Sequence, residues 1–319
     1  MTYAHARGLA TLTHNGTVLD VWYPAVHLEE TAPEGTTSGT TRLDSTPQQF
    51  AELAGPDEER GVARVAVNTV IADLDAAPAD AYDAYLRLHL LSHRVVRPHT
   101  LNVDDICSRL ANVVWTNYGP CAVADFQMIR GRLSSRGPVV VYSVDKFPRM
   151  VDYVIPSDVT ISDADRVRLG AYLAPGTTVT HEGFVNINAG TLGPSLVEGR
   201  VSAGVVVGKD CHVGEGSSLM GTICGSTLMS MGHRCQVGAN TVIGISLGED
   251  CLVTPGISVT PGTDVIARAA VAQALGVSDG DTVEADRLDC SAGLVLRRNP
   301  LSGAVEATSN GDAEFRLGA

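Results

Sequence analysis

The chain has 319 residues, 44% of them hydrophobic and 18% charged, so it is long enough for two domains that each bury a core. Its formal net charge of −13 argues against nucleic acid as a partner, because a phosphate-binding surface needs clustered Lys and Arg. No apolar run reaches the roughly 18 residues of a membrane span, and the first residues lack the apolar segment of a secretory signal. Seven cysteines without a Cys-x-x-Cys pair favour reduced thiols over a disulfide framework. We therefore expect a cytoplasmic protein that binds neither nucleic acid nor membrane.

Residues 1–150 are predicted to form an α/β domain. Asn15-Gly16 lies between two apolar runs, 9–12 and 18–22, which is a strong β-hairpin signal. The polar stretch 29–45 indicates a surface loop, and the alternation of apolar residues from 65 to 71 predicts a strand.

Three helices are predicted in the second half of this domain. Asp80, Asn102 and Asp125 each precede an apolar pattern of helical period and are candidate N-caps. Gly137 is expected to end the third helix, and residues 139–142 are expected to form a strand that leads into the next domain.

A six-residue repeat dominates residues 151–267. This period fits neither a helix nor a simple strand, but it is typical of a parallel β-helix built from hexapeptides, three to each triangular coil. Glycines and short polar residues fill the corners between the strands. The repeated positions are Ile155, Ile161, Val167, Leu173, Val179, Val185, Thr191, Val197 and Ala203, then, after a slip of phase, Val207, Val213, Leu219, Met231, Val237, Ile243, Leu247, Val253, Val259 and Val265.

The predicted fold is therefore mainly β. A left-handed parallel β-helix of hexapeptide repeats spans 151–267 and follows the N-terminal α/β domain, 1–150. The C-terminal segment, 268–319, is predicted to hold a short helix at 269–275 and a hairpin that turns at 299–303. Hexapeptide β-helices of this kind are mostly acyltransferases.

The repeat is interrupted twice, at 186–200 and at 219–226. The first break is small, polar and glycine-bearing, and it ends with the acid Glu198 and the base Arg200 two residues apart. Loops that leave a rigid scaffold often carry binding and catalysis. On spacing alone, solvated corner residues are an equally good interpretation.

Several strings in this chain resemble the tetrahydrodipicolinate N-succinyltransferase family, in the class with a large N-terminal domain. The resemblance covers most of residues 8–267 and returns at 297–299. The strings are residues 82–94 (YDAYLRLHLLSHR), 112–117 (NVVWTN), 119–122 (GPCA), 144–154 (VDKFPRMVDYV), 181–193 (HEGFVNINAGTLG) and 197–204 (VEGRVSAG).

The resemblance implies succinyl transfer from succinyl-CoA to the 2-amino group of ring-opened tetrahydrodipicolinate, a step toward diaminopimelate and lysine. Glu198 matches the family's catalytic glutamate, which acts either through an acyl-anhydride or as a general base. Gly221 matches a glycine whose backbone N–H faces the developing oxyanion. The resemblance also implies a homotrimer with a Mg²⁺ ion on its axis, matched by Asp165 and Glu182. The positions that match the succinyl-CoA site are Arg200, Ser218, Ala239, Gly262, Arg297, Arg298 and Asn299.

Two other functions remain as alternatives. One is a related acyltransferase that uses acetyl-CoA or another amine, because some positions depart from the family's pattern. Another is a non-catalytic β-helix that serves as an assembly scaffold. A zinc hydrolase is disfavoured, because three ligands must converge and the close histidine pair of β-helical carbonic anhydrases is absent. The departing positions are Glu215, Thr254, Pro255 and Glu284, and the histidines weighed as zinc ligands are His181, His212 and His233.

Overall fold

The computed structural model describes residues 2–221, 228–311 and 313–318. The chain divides into two compact units, Met1–Ile155 and Pro156–Ala319, so the segment after residue 267 lies in the same unit as the repeats. No helix in the described part is both long and apolar enough to cross a membrane.

The first unit contains two antiparallel sheets. In the larger sheet the strands run in the order β2-β1-β6-β4, with β3 on β1 and β5 on β6, and the smaller sheet has the order β8-β7-β9. The predicted hairpin is confirmed, since β1 pairs with β2 around Gly16, whose φ is 86°. The strands are β1 (Tyr3–Thr13), β2 (Val18–Trp22), β3 (His27–Glu29), β4 (Gly39–Arg42), β5 (Gly55–Asp57), β6 (Val62–Ile71), β7 (Val113–Thr116), β8 (Gly119–Ala122) and β9 (Val141–Asp145).

Three helices accompany these sheets: α1 (Ala81–Ser92), α2 (Ile106–Arg109) and α3 (Phe126–Leu133). The N-cap of α1 is confirmed, because Asp80 Oδ1 accepts a hydrogen bond from the Asp83 amide at 3.0 Å. The expectation for Asn102 is wrong. Its Oδ1 accepts instead from the Asp104 amide at 2.7 Å, which closes a local turn, and α2 begins only at Ile106. Asp125 precedes α3, but its φ of 57° is left-handed and its side chain makes no capping bond.

The predicted loop 29–45 and the predicted strand 139–142 also need correction. The stretch 29–45 contains β4, which pairs with β6. The strand expected at 139–142 is β9, which begins at Val141 and continues to Asp145.

The second unit is a three-sided stack of short parallel strands. One side has the order β10-β12-β15-β18-β21-β23-β27, the second is β11-β14-β17-β20, and the third is β13-β16-β19-β22-β24. The strands are β10 (Thr160–Ile161), β11 (Tyr172–Leu173), β12 (Thr177–Val179), β13 (Phe184–Val185), β14 (Gly190–Thr191), β15 (Ser195–Val197), β16 (Arg200–Val201), β17 (Val205–Val207), β18 (Cys211–Val213), β19 (Ser218–Leu219), β20 (Met229–Met231), β21 (Gln236–Val237), β22 (Val242–Ile243), β23 (Leu252–Val253) and β24 (Ser258–Val259).

The strand register gives the length of each coil and explains the slips of phase. Thr178 pairs with Leu196, so this coil is a full three hexapeptides long. Leu196 then pairs with His212, which makes the next coil two residues shorter. His212 in turn pairs with Gln236, so the coil between them is one full hexapeptide longer than the regular coil. The short coil has lost two corner positions, and the long coil contains the predicted second break, of which 222–227 lie outside the described residues.

The repeated positions form the interior of this stack. From Val167 to Val265 every one of them is buried, with exposures of 0 to 2%. The first two repeated positions are exceptions. Ile161 is only half-buried in β10, the first strand of the stack, and Ile155 is 76% exposed because it ends the first unit and precedes that strand. Each coil stacks its inward side chains directly on those of the next, so the apolar core is continuous along the axis.

The stack ends in a mixed cap. Helix α4 (Ala269–Leu275) lies where the sequence predicts it. After it come β26 (Thr282–Glu284), β27 (Leu294–Arg298) and β28 (Val305–Ser309), of which β27 continues the first side of the stack beyond β23. β27 and β28 pair antiparallel, and β25 (Asp264–Ala267) pairs with both β26 and β28.

Candidate active site

Several predicted site residues lie on the five-stranded side of the stack and at its two corners. Arg200 in β16 is directly between Phe184 on one neighbouring strand and Ser218 on the other. The Arg200 guanidinium carbon lies 4.7 Å from the centre of the Phe184 ring, a cation–π distance. This contact holds the arginine against the surface of the sheet.

Glu198 occupies the tight corner that leads into this side. Its backbone N–H donates to the Val213 carbonyl of the next coil at 2.8 Å. The residue that follows has to be glycine, because a Cβ on Gly199 would lie 2.3 Å from Ser217 Oγ and 2.5 Å from the Gly214 carbonyl oxygen. The corner therefore fixes the Glu198 backbone, while the side chain stays 33% exposed and open to a ligand.

A histidine that the sequence analysis treats only as a disfavoured zinc ligand lies beside this carboxylate. His212 Nε2 is 2.7 Å from Glu198 Oε2, and the imidazole is 43% exposed. The two residues are distant in the sequence, but the short coil brings His212 one layer above Leu196 and next to the Glu198 corner. The coil length is the signal that could have revealed this pair.

Gly221 lies at the opposite corner of the same side, after β19. A Cβ at this position would be 2.4 Å from the Ala203 carbonyl oxygen and 2.6 Å from Val205 Cγ2, so only glycine fits. Gly221 is exposed, and its N–H donates no hydrogen bond to any described residue. A backbone N–H that is held in place by the coil below can donate to an oxygen that gains negative charge, as an oxyanion site requires.

The remaining predicted positions on the stack spread along its axis. Ala239 lies at the same corner as Glu198, two coils further, or about 10 Å at the usual spacing of strands. Gly262 follows β24 on the last of these coils, at the corner that also holds Gly221, and has open space around it. The predicted residues therefore line an elongated surface, not a single point.

The C-terminal hairpin brings its three predicted residues to the far end of this surface. Arg298 donates to the carbonyl oxygens of Gly256 at 3.1 Å and Gly303 at 3.2 Å. Gly256 lies at the corner that corresponds to Glu198 three coils further, so the Arg298 guanidinium that contacts it is about 14 Å along the axis from Glu198.

Arg297 and Asn299 face a carboxylate that the sequence analysis misses. Arg297 Nη2 lies 3.1 Å from Glu306 Oε2, and Asn299 Nδ2 donates to Glu306 Oε1 at 3.0 Å. Arg268 Nη2 reaches the same Oε1 at 2.8 Å. The hairpin register pairs Arg297 with Glu306, so a cross-strand charge pair was the available signal.

Glu306 is buried but remains ionised. Hydrogen bonds, first from Asn299 and then from Arg268, lower the pKa of its carboxyl to about 2. Glu306 thereby fixes the positions of Arg268, Arg297 and Asn299 and offsets part of their positive charge. Within the described residues, Arg298 donates to carbonyl oxygens alone, so no carboxylate there matches its charge.

The two predicted metal ligands lie on adjacent coils, since Val167 bridges Val185 just after them. Asp165 and Glu182 are both exposed. His181 Nδ1 lies 3.0 Å from Glu182 Oε1, and this hydrogen bond lowers the pKa of the Glu182 carboxyl. His181 Nε2 is also 3.5 Å from Asp163 Oδ2.

The three histidines considered for zinc do not converge. His181 contacts Glu182, His212 contacts Glu198, and His233 Nδ1 accepts from the Lys209 amide at 2.9 Å. Among the described residues, no three His, Cys, Asp or Glu side chains are grouped to hold a metal ion. A zinc centre built from these histidines is therefore not supported.

Comparisons with known proteins identify the family that the chain resembles. Residues 110–149 match the family model described as tetrahydrodipicolinate N-succinyltransferase middle, and residues 229–261 match the hexapeptide repeat of succinyl-transferase. A 2,3,4,5-tetrahydropyridine-2,6-dicarboxylate N-succinyltransferase of Pseudomonas paraeruginosa is 41% identical over 97% of this chain and 94% of its own length. The enzyme of that name from Pseudomonas aeruginosa is 44% identical over 86% of this chain and 83% of its own.

A solved structure has a similar fold. It is a protein of Campylobacter jejuni named as a putative 2,3,4,5-tetrahydropyridine-2-carboxylate N-succinyltransferase. It superposes with a TM-score of 0.83 and 25% identity, covering 97% of this chain and 93% of its own.

Proposed function

The chain belongs to the tetrahydrodipicolinate N-succinyltransferase family, and we propose that it transfers succinyl from succinyl-CoA to the 2-amino group of ring-opened tetrahydrodipicolinate. The product is N-succinyl-2-amino-6-oxopimelate, an intermediate toward diaminopimelate and lysine. The observation that carries this proposal is the 41% identity to a named relative over 97% of the chain. The left-handed sense of the β-helix and its division at residues 150 and 267 are part of the same proposal.

Glu198 of one copy and Gly221 of a neighbouring copy are proposed to carry the chemistry, because the two residues lie at opposite corners of one side of the stack. The family resemblance places the active sites between neighbouring β-helices, which is where such a pair can meet. The substrate amine attacks the thioester carbonyl carbon, the carbonyl oxygen gains negative charge, and the C–S bond breaks to release CoA as thiolate. Glu198 accepts the proton that the amine loses, and the thiolate takes up a proton as it leaves. The Gly221 N–H donates to the oxygen while it carries negative charge.

A covalent route uses the same carboxylate. In that route Glu198 attacks the thioester first and displaces the CoA thiolate. The amine then attacks the succinyl carbonyl carbon of the resulting anhydride, the bond from that carbon to Glu198 breaks and releases the carboxylate, and the thiolate takes up the proton that the amine loses. Both routes need Glu198 ionised and accessible, and its exposed position at the corner suits both. Trapping an acyl-enzyme with hydroxylamine distinguishes them.

The donor is proposed to lie along the elongated surface, with its thioester near Glu198 and its phosphates near the C-terminal hairpin. Room for an extended ligand is left by the small side chains of Ser218 and Ala239 and by the absence of a side chain at Gly262. Arg200 and Arg298 supply positive charge at different points along it. A protein of net charge −13 needs such a local cluster to bind an anion.

Assembly and metal binding are proposed together. We expect a homotrimer in which Asp165 and Glu182 of each copy face a common axis and bind Mg²⁺. The donors fit this ion, because they are carboxylate oxygens and the lowered pKa of Glu182 keeps it ionised at neutral pH. No group of three such side chains occurs among the described residues of one chain, so the proposed site requires ligands from several copies. The ion would be structural, since it neutralises carboxylates that otherwise repel each other.

A coupled thiol-release assay with tetrahydrodipicolinate and succinyl-CoA tests the function. Glu198→Gln keeps the shape of the side chain and removes its basicity, so we expect kcat to fall at least about 10²-fold. Turnover with acetyl-CoA that equals or exceeds turnover with succinyl-CoA would favour the related-acyltransferase alternative. Near wild-type activity in Glu198→Gln would contradict the assignment of this residue.

Chelation tests the metal independently of activity. We expect excess chelator to lower the melting temperature at neutral pH and Mg²⁺ to restore it. The Asp165→Asn, Glu182→Gln double variant should not respond to chelator. A wild-type melting curve that chelator leaves unchanged, together with the absence of metal in elemental analysis, would show that the protein does not bind the ion.

A further inference from the structure

We propose that His212 is a positioning residue for Glu198, holding one carboxylate oxygen so that the other faces the reacting amine. This inference rests on the proposed function for its catalytic meaning. Its structural basis is the 2.7 Å contact between His212 Nε2 and Glu198 Oε2.

Both partners project from rigid backbone. The His212 N–H donates to the Cys235 carbonyl at 3.0 Å, and β18 is paired on both sides, with β15 and β21. The Glu198 N–H donates to the Val213 carbonyl, which adjoins His212 in β18. The distance between the two side chains is therefore set by stacked coils, and it does not depend on a mobile loop.

The chemistry of the pair fixes the tautomer. An ionised carboxylate can only accept hydrogen bonds, so His212 Nε2 has to carry the proton and donate it to Oε2. Glu198 Oε2 is held by this bond, which leaves Oε1 to take the proton of the amine.

Other charged groups lie near the pair at neighbouring corners and on the adjacent strand. They are Arg200 on the strand that follows Glu198, Glu215 one coil above, and His181 and Glu182 one coil below. None of these groups makes a hydrogen bond to the Glu198 carboxylate, which singles out His212 among the described residues.

Two substitutions separate positioning from proton transfer and from structure. His212→Leu removes the donor, whereas His212→Gln puts an amide N–H near the place of Nε2 without a titrating ring. Gln236→Leu is the matched control, because Gln236 is exposed and pairs with His212 in the next coil. Each variant is assayed for kcat and for KM for succinyl-CoA.

We expect His212→Leu to lower kcat about tenfold and to leave KM for succinyl-CoA within about threefold. His212→Gln should recover most of kcat, and Gln236→Leu should match the wild type. In a Glu198→Gln background, His212→Leu should cause no further loss, because its effect passes through that carboxylate. Unchanged kcat in His212→Leu, or losses that simply multiply in the double variant, would overturn the proposal.

A measurement that needs no turnover keeps this inference separate from the proposed function. In ¹H–¹⁵N NMR spectra of the imidazoles, the His212 Nε2–H proton should be observed as a hydrogen-bonded proton in the wild type and should be lost to solvent exchange in Glu198→Ala. That result in a protein without succinyl transfer would support the positioning contact while the proposed reaction failed. A wild-type His212 protonated at Nδ1 alone would overturn the inference, whatever the activity.

Discussion

A methyl group added at Gly221 tests whether its backbone N–H stabilises the reaction. The Cβ of an alanine at position 221 would lie 2.4 Å from the Ala203 carbonyl oxygen, and Cβ atoms in proteins essentially never come closer than 3.0 Å to such a neighbour. The Gly221 peptide therefore has to move by about 0.6 Å, the difference between these distances. Neither obstacle is a flexible chain end, since one is backbone and the other is the branched side chain of buried Val205.

A displacement of this size moves the amide away from the position that an oxyanion would occupy. Loss of one oxyanion donor costs about 10²–10³ in kcat, and a misplacement near 1 Å costs about 10². We expect Gly221→Ala to lower kcat by roughly 10²-fold, with a smaller change in KM for succinyl-CoA. Initial rates in the thiol-release assay, over a range of donor concentrations, measure both.

The matched control is Gly244→Ala, one coil further along the same side. A Cβ there has its nearest neighbours at 3.5 Å, which is ordinary contact, and the Gly244 N–H already donates to Val259. We expect this variant to stay within about twofold of the wild type. The oxyanion role of Gly221 is refuted if Gly221→Ala keeps the wild-type kcat. It is also refuted if both variants lose activity and the size of each loss follows the fall in that variant's melting temperature, because destabilisation would then explain both.

Three further outcomes follow from the charged groups. The Arg297→Ala, Arg298→Ala double variant should raise KM for succinyl-CoA about tenfold, with less effect on kcat, and an unchanged KM would exclude the hairpin from the donor site. Glu306, with its pKa of about 2, contributes stability that is complete above its ordinary value of 4.5 and is lost as pH falls toward 2. The difference in stability between the wild type and Glu306→Gln should therefore shrink over that range in acid melts, and a constant difference would contradict it. Burial lowers the pKa of His89 from 6.5 to about 3, so the wild type should lose about 2 kcal/mol between pH 6.5 and 5, a loss that urea unfolding should not find in His89→Gln.

The interior of the β-helix could be predicted from period alone. Each coil needs one inward apolar residue per side, and this requirement is the same at every level of the stack. Val179 and Val259 are therefore equally buried although they lie near opposite ends of the repeat. Ile155 fits the period by chance, because nothing in a local pattern indicates where the first coil begins.

Local capping chemistry was a weaker guide in the first unit. Asp80 and Asn102 have similar sequence settings, yet only Asp80 caps a helix. Asn102 Oδ1 is satisfied two residues on, by the Asp104 amide, and its Nδ2 donates to the Asp75 carbonyl. Competition between a local turn and a helix start depends on such distant partners, which the sequence around Asn102 does not contain.

The candidate site shows the same limit at the level of the coil. Glu198 and Gly221 could be proposed from resemblance, and Gly199 and Gly221 have a steric reason to be glycine that appears only once the coils are stacked. His212 became visible as a partner of Glu198 because one coil is two residues shorter than three hexapeptides. With a full coil of three hexapeptides, the residue opposite Leu196 would be Gly214, and the carboxylate would face no imidazole. The two missing corner residues thus determine which side chain meets the proposed catalytic acid, so coil length is a determinant of the chemistry as well as of the fold.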